Sequence, residues 1–248
     1  MTVVFSASFV SRNDTQISKL EEENQKTLAA AEAGIEAALK SGSLQDFSGL
    51  KVPAGFTGSA TVQSNSTSSF ISPLLKKGDQ YTFYLSAPGG STDNPDFSRL
   101  LSPYFNQALT ICSGSSDFAM SIALLKFDGS TKYTLKRFAI NPSSDKKIIT
   151  NGQAANGGGS CPTGQTFTYH HQLTALDMGG NDNNLLLFIK LVGTGTVPAR
   201  VGISGGSTLP AQGRTIVSQA KSPTGATKIV QLFQSYPQIP AEFFVTIF

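Results

Sequence analysis

The feature that most constrains this chain is an abrupt change of period near Gly42. Asp14 to Lys40 holds one glycine, Gly34, and no proline, and its apolar or small residues recur at Ile17, Leu20, Leu28, Ala31, Ile35, Ala38 and Leu39. Steps of three and four place these side chains on one stripe of a helix. Glu22 and Lys26, and Glu36 and Lys40, stand four apart in the order that supports a helix. Asn13 and Asp14 supply N-cap chemistry and Gly42 a C-terminal stop. The spacing predicts a helix over 14–40. Such a helix is apolar on one side only, so it needs a sheet or a neighbouring subunit to cover that side.

After Gly42 the helical period is lost. Short β-like runs alternate with Gly, Pro, Asn and Ser clusters, which predicts strands at Ser59–Gln63, Gln80–Ser86, Ala108–Cys112, Ala119–Phe127, Lys132–Ile140, Thr166–Leu173, Leu185–Val192, Ala199–Ile203, Arg214–Gln219 and Lys228–Gln234. Asp128-Gly129 and Ser222-Pro223-Thr224-Gly225 are turn signals between consecutive runs. The expected class is α+β: a long N-terminal helix, residues 1–41, packed on an antiparallel β-rich domain, residues 42–248.

Composition narrows the function. Charged residues are only 14% of the chain, with 19 basic against 16 acidic. That balance makes no phosphate track, so nucleic acid is not an expected partner. The apolar start, Met1 to Ser11, is too short to span a bilayer and lacks the basic region and cleavage site of a signal peptide. Cys112 and Cys161 show no zinc-type spacing, and the choice is a disulfide or two buried thiols; the Ser/Thr/Asn-rich surroundings favour the disulfide and an extracellular location.

Catalytic signatures are sparse. His170 and His171 are adjacent, so on a strand they point to opposite faces. No nucleophile elbow is present, and Gly157-Gly158-Gly159 lacks the Lys-Ser/Thr of a phosphate loop. The oxygen-rich run at 177–184 offers Asp177, Asn181 and Asp182 as weak calcium candidates, without EF-hand spacing. Asn13-Asp14-Thr15 and Asn65-Ser66-Thr67 match glycosylation sequons. The expectation is no enzyme and no cofactor.

The run Ala29-Ala30-Ala31-Glu32-Ala33-Gly34-Ile35-Glu36-Ala37-Ala38-Leu39 resembles the exposed helix segment of minor type IV pilins, and Leu209–Phe248 resembles the closing strands of pilin-like proteins. The resemblance implies a filament subunit that contacts other pilins through Ile17, Leu20, Leu28, Ala31, Gly34, Ile35 and Leu39 and displays its β domain to a surface or host cell. At Gly34 the missing side chain would allow close approach. The leader, peptidase site and helix glutamate of that family have no counterpart here, so the chain is expected to begin inside the family's helix, with membrane contact only through a missing N-terminal segment. Two alternatives stand beside this reading. One is a secretion-system pseudopilin. The other is a surface adhesin module binding a carbohydrate or protein through the loops Ser86–Asn94, Asn151–Gly159 or Asp177–Asn184.

Overall fold

The computed structural model describes residues 2–101, 107–129, 132–155, 160–179 and 183–240, with the side chains of 2–15 and 101 excepted. Among them lie one helix, α1 (Thr2–Ser41), and fourteen strands: β1 (Thr57–Gln63), β2 (Thr67–Ile71), β3 (Gln80–Tyr84), β4 (Ala87–Gly90), β5 (Pro95–Leu101), β6 (Leu109–Ser113), β7 (Phe118–Phe127), β8 (Tyr133–Asn141), β9 (Gln153–Ala154), β10 (Tyr169–Leu173), β11 (Asn183–Gly193), β12 (Val201–Leu209), β13 (Gly213–Lys221) and β14 (Thr227–Ser235).

This corrects the expected α+β, pilin-like class. The protein is mostly β, with four sheets ordered β1-β13-β14, β10-β6-β12-β2, β3-β11-β7-β8-β9 and β4-β5. The helix covers one of them, the three-stranded sheet, and the largest core contains no helical residue. The physical reason is that helical periodicity ends at Gly42, leaving the later apolar residues to bury one another between strands. The pairing is not wholly antiparallel either, since β8 and β9 run parallel.

The chain forms two compact units: Met1–Ser64 with Ser91–Asn94 and Gly213–Gln234, and Asn65–Gly90 with Pro95–Gln212 and Ser235–Phe248. In the first unit, Ala30, Ala31, Ile35 and Ala38 of α1 pack with Phe47, Ala60, Ile216 and Ala220. Phe47 is the one large ring among these buried residues. It fits because two glycines face it: a Cβ on Gly34 would stand 2.6 Å from its Cζ, and a Cβ on Gly58 would collide with its Cε2. Gly42 ends the helix with φ of 86°, and its N–H donates to the Ala38 carbonyl at 2.9 Å.

In the second unit the four- and five-stranded sheets enclose one core, with Leu109, Ile111, Val201 and Ile203 from one sheet and Phe83, Met120, Ile122 and Leu187 from the other. The Tyr169 hydroxyl donates to the Phe118 carbonyl at 2.9 Å and ties β10 to β7. A second apolar layer covers the other face of the five-stranded sheet, where Tyr84, Leu186 and Phe188 meet Tyr236, Phe97 and Leu100. Burial on both faces explains why β11 reads as a continuous apolar run rather than an alternation.

Cys112 and Cys161 form a disulfide, with Cα atoms 5.9 Å apart. Beside it a Cβ on Gly202 would stand 2.6 Å from Phe167 Cζ and 3.1 Å from Pro162 Cδ, so the segment after Cys161 lies flat on β12.

Candidate functional site

The helix offers the first candidate surface. At 100° per residue, Ile17, Leu20, Leu28, Ala31, Ile35 and Ala38 fall within about 80° of the circumference. The structure divides that stripe. Ala31, Gly34, Ile35 and Ala38 are buried against the helix's own sheet and Leu39 packs beside them, so these residues serve the fold of the unit. Ile17, Leu20 and Leu28 remain 54%, 58% and 41% exposed. The boundary is marked by Thr27, fully buried and donating its hydroxyl to the Glu23 carbonyl at 2.7 Å, and by Glu23, which accepts from the Thr224 hydroxyl at the β13–β14 turn. The helix backbone continues from Thr27 back to Thr2, about 38 Å at 1.5 Å per residue. Lys26 and Glu22 pair at 2.6 Å on the solvent side. No helix is long and apolar enough to cross a membrane among the described residues.

A pocket of about 340 Å³ is the second candidate, lined by Ala139, Ile148, Ile149, Thr150, Asn151 and Val192. Its wall is held by the buried amide of Asn141, whose Nδ2 donates to the carbonyls of Ile149 (2.9 Å) and Gly152 (3.1 Å). The Asn141 Oδ1 accepts from the Ile149 N–H at 2.8 Å. The pocket thus takes in Asn151, the first residue of one loop singled out from sequence; residues 156–159 of that loop lie outside the described residues. No sequence signal marked this cavity, because it arises where the loop folds back on β8 and β11.

Asp177 closes a turn. Its Oδ2 accepts from the Thr174 N–H (3.0 Å) and hydroxyl (2.8 Å), and Lys136 Nζ donates to Oδ1 at 3.2 Å. Burial acts to raise its carboxyl, but the Thr174 amide and hydroxyl and the Lys136 ammonium hold it below the usual carboxylate range. Asn181 and Asp182, the other calcium candidates, lie outside the described residues. No group of three or more metal-ligating side chains occurs among the described residues.

His170 and His171 sit at successive positions of β10, half-buried and buried respectively, so they face opposite sides of the sheet. Burial pushes the His171 imidazole below its ordinary value, and Asp177 acts the other way. The unfolded chain therefore binds this proton more tightly. The stability involved is full above the ordinary histidine pKa of about 6.5 and is lost as pH falls below it. The measurement is unfolding free energy against pH for wild type and His171→Gln. Wild type should lose stability as pH drops below about 6.5, and the variant should show a shallower loss there. Equal slopes would remove His171 as the cause.

No protein-family model matches the chain and no curated protein matches it. One solved structure, described as "Structural intermediates in the fusion associated transition of vesiculovirus glycoprotein", aligns at 13% identity over 71% of this chain and 50% of its own, with a TM-score of 0.10. The chain thus spans about half the length of that glycoprotein, and a TM-score of 0.10 is not a shared fold.

Proposed function

We propose that this protein is a non-catalytic structural subunit of an extracellular filament, of the type IV pilus kind or its secretion-system relative. On this reading it assembles through the exposed part of α1 and presents its β-rich units to other surfaces. The observation that carries the reading is the divided stripe. The apolar stripe satisfies the subunit's own core over Ala31–Ala38 and, interrupted by Asn24, leaves Leu28, Leu20 and Ile17 uncovered. Because these side chains are about half exposed, burying the remainder against a neighbour contributes about 1 kcal/mol each, which makes this stretch an assembly surface. The run Ala29–Leu39 and its likeness to minor pilins support the same reading, which does not depend on a pilin-like fold. The disulfide fits an oxidising compartment.

The test is incorporation of the full chain into fibres sheared from the surface of the source cells. Ile17→Asp with Leu20→Asp should abolish incorporation. Because both positions are exposed, it should shift unfolding stability by no more than about 0.5 kcal/mol. Undiminished incorporation of that variant, or recovery of the wild type only inside the cell, would contradict the proposal.

A second reading has one observation in its favour. The 340 Å³ pocket beside Ile149–Asn151 is within the size range of small-ligand sites, which suits a surface adhesin module that binds a small carbohydrate group. Glycan-array binding abolished by Asn151→Ala would favour it over assembly.

A further inference from the structure

The register of the five-stranded sheet shows what stands beside the pocket at Ile149–Asn151. Leu187, Ile189 and Leu191 of β11 turn into the main core, so Lys190 and Val192 between and beyond them project from the opposite face. Val192 is part of the pocket wall. Lys190 lies opposite Ser121 of β7, and Ser121 lies opposite Ala139 of β8, which lines the pocket from its other side. Directly opposed residues share a face, so Lys190, Ser121 and Ala139 form one row across three strands, about 10 Å from end to end. The middle of that row is a serine, so no bulky side chain on the row separates the lysine from the cavity.

The wall is pinned in shape. Asn141 is buried and spends both its amide nitrogen and its amide oxygen on residues 149–152, and a Cβ on Gly152 would stand 2.6 Å from its Nδ2. Most of the wall is apolar, through Ala139, Ile148, Ile149 and Val192. The charges around it are largely matched. Asp117 pairs with Lys146 Nζ at 2.7 Å, and Asp145 and Lys147 on the same loop are exposed, one of each sign. The Asp79 carboxylate accepts from the Lys76 N–H at 2.8 Å. Lys190 is the exception: half-buried beside the cavity, it makes no ion pair among the described residues.

We propose that this pocket takes a small organic carboxylate that carries an apolar group. The apolar group enters between Ile149 and Val192, where it loses contact with water. The carboxylate stands over Ser121, where the Lys190 ammonium and the Ser121 hydroxyl both donate to it. A single cation beside an apolar wall selects one negative charge and one greasy end, and rejects an ammonium of the same shape. Two sources carry that chemistry: an N-acetylated acidic sugar, whose acetamido methyl is the apolar group, and a short aliphatic acid. The proposal rests on the second reading's use of the pocket as a ligand site, and adds the ligand's charge.

Isothermal titration of the full chain with N-acetylneuraminate and hexanoate tests it, beside their neutral counterparts N-acetylglucosamine and hexanol. At least one acid should bind, and about fivefold more tightly than its neutral counterpart, the upper range for a half-exposed ion pair. Which acid binds identifies the source. The preference should vanish in Lys190→Met, which keeps the apolar stem, and persist in Lys190→Arg and in the exposed control Lys147→Met. In the wild type it should shrink as salt is raised, a readout that needs no variant. Acid binding undiminished in Lys190→Met, or insensitive to salt, would overturn the proposal. N-acetylglucosamine bound as tightly as the acidic sugar, and lost in Asn151→Ala, would overturn the charge and leave the carbohydrate reading standing. Binding of none of the four would sink both.

Discussion

Phe47→Ala is expected to cost about 3–5 kcal/mol, the range for removing a buried aromatic ring from a core that cannot collapse around the gap. The cavity cannot close because the ring is held on both sides by backbone rather than by adaptable side chains. Gly34 of α1 faces its Cζ and Cε1, and Gly58 of β1 faces its Cε2 and Cδ2. The helix and the strand are docked at a separation set by that ring. Denaturant unfolding of the whole chain gives the magnitude, and hydrogen exchange gives the place: amides of β1 and β13 should lose protection in the variant. A loss under about 1 kcal/mol would mean that the core relaxes, and that Phe47 does not set the docking of α1.

Cys112→Ser with Cys161→Ser should remove about 4 kcal/mol from the second unit. The bond closes a loop with a sequence separation of 49, and in the chain-entropy account its loss restores that much freedom to the unfolded ensemble. Cys112 lies in the middle of the four-stranded sheet, opposite Gly202 on one side and His170 on the other. Cys161 holds the adjoining segment against Gly202. The double serine variant should therefore also expose Phe167 and Pro162 to solvent, visible as faster exchange over residues 162–168. The wild type treated with reductant should reproduce both effects. Unchanged stability in both cases would mean that the sheets alone hold this segment in place.

How legible the protein was depends on how local each signal is. Each of the ten strands expected from sequence overlaps a strand of the structure, because their apolar runs are bounded by turn residues that act at short range, though β12 runs on to Leu209 and β10 starts only at Tyr169. Gly129, with φ of 84°, and Gly225, with φ of 100°, sit in the two turns marked from sequence. Periodicity shows the helix from Asp14 onward, and only the resemblance to pilins extends it over the residues before; the structure has it from Thr2 to Ser41. Val3, Val4, Phe5 and Val10 carry β-branched or aromatic side chains with no polar counter-face, so neither propensity nor period marked them as helical. β2, β4, β5 and β9 fall outside the ten strands expected from sequence. Pro88 and Gly89 in β4 and the serines of β2 argue against strands, and these segments take strand form only through pairing with distant partners, Pro88 with Leu100 and Phe70 with Ile203.

Architecture was the least legible level. A single antiparallel sheet under a helix and four sheets in two units demand the same local pattern. What separates them is which apolar faces meet, and that is settled by contacts between residues far apart in sequence. The stripe on α1 shows the same limit. Periodicity found its members, from Ile17 to Leu39, but not the division at Thr27 between residues that complete the subunit and residues left outside it.

Hydrogen exchange, compared between the isolated chain and the same chain in fibres sheared from the cell surface, tests the central claim most directly. Amides of residues 30–38 should exchange slowly in both states, since they lie against the sheet already. Amides of residues 16–26 should exchange quickly in the isolated chain and slow by at least about tenfold in the fibre, as Ile17 and Leu20 become covered. Absence of the chain from such fibres, or identical exchange over 16–26 in the two states, would contradict the account.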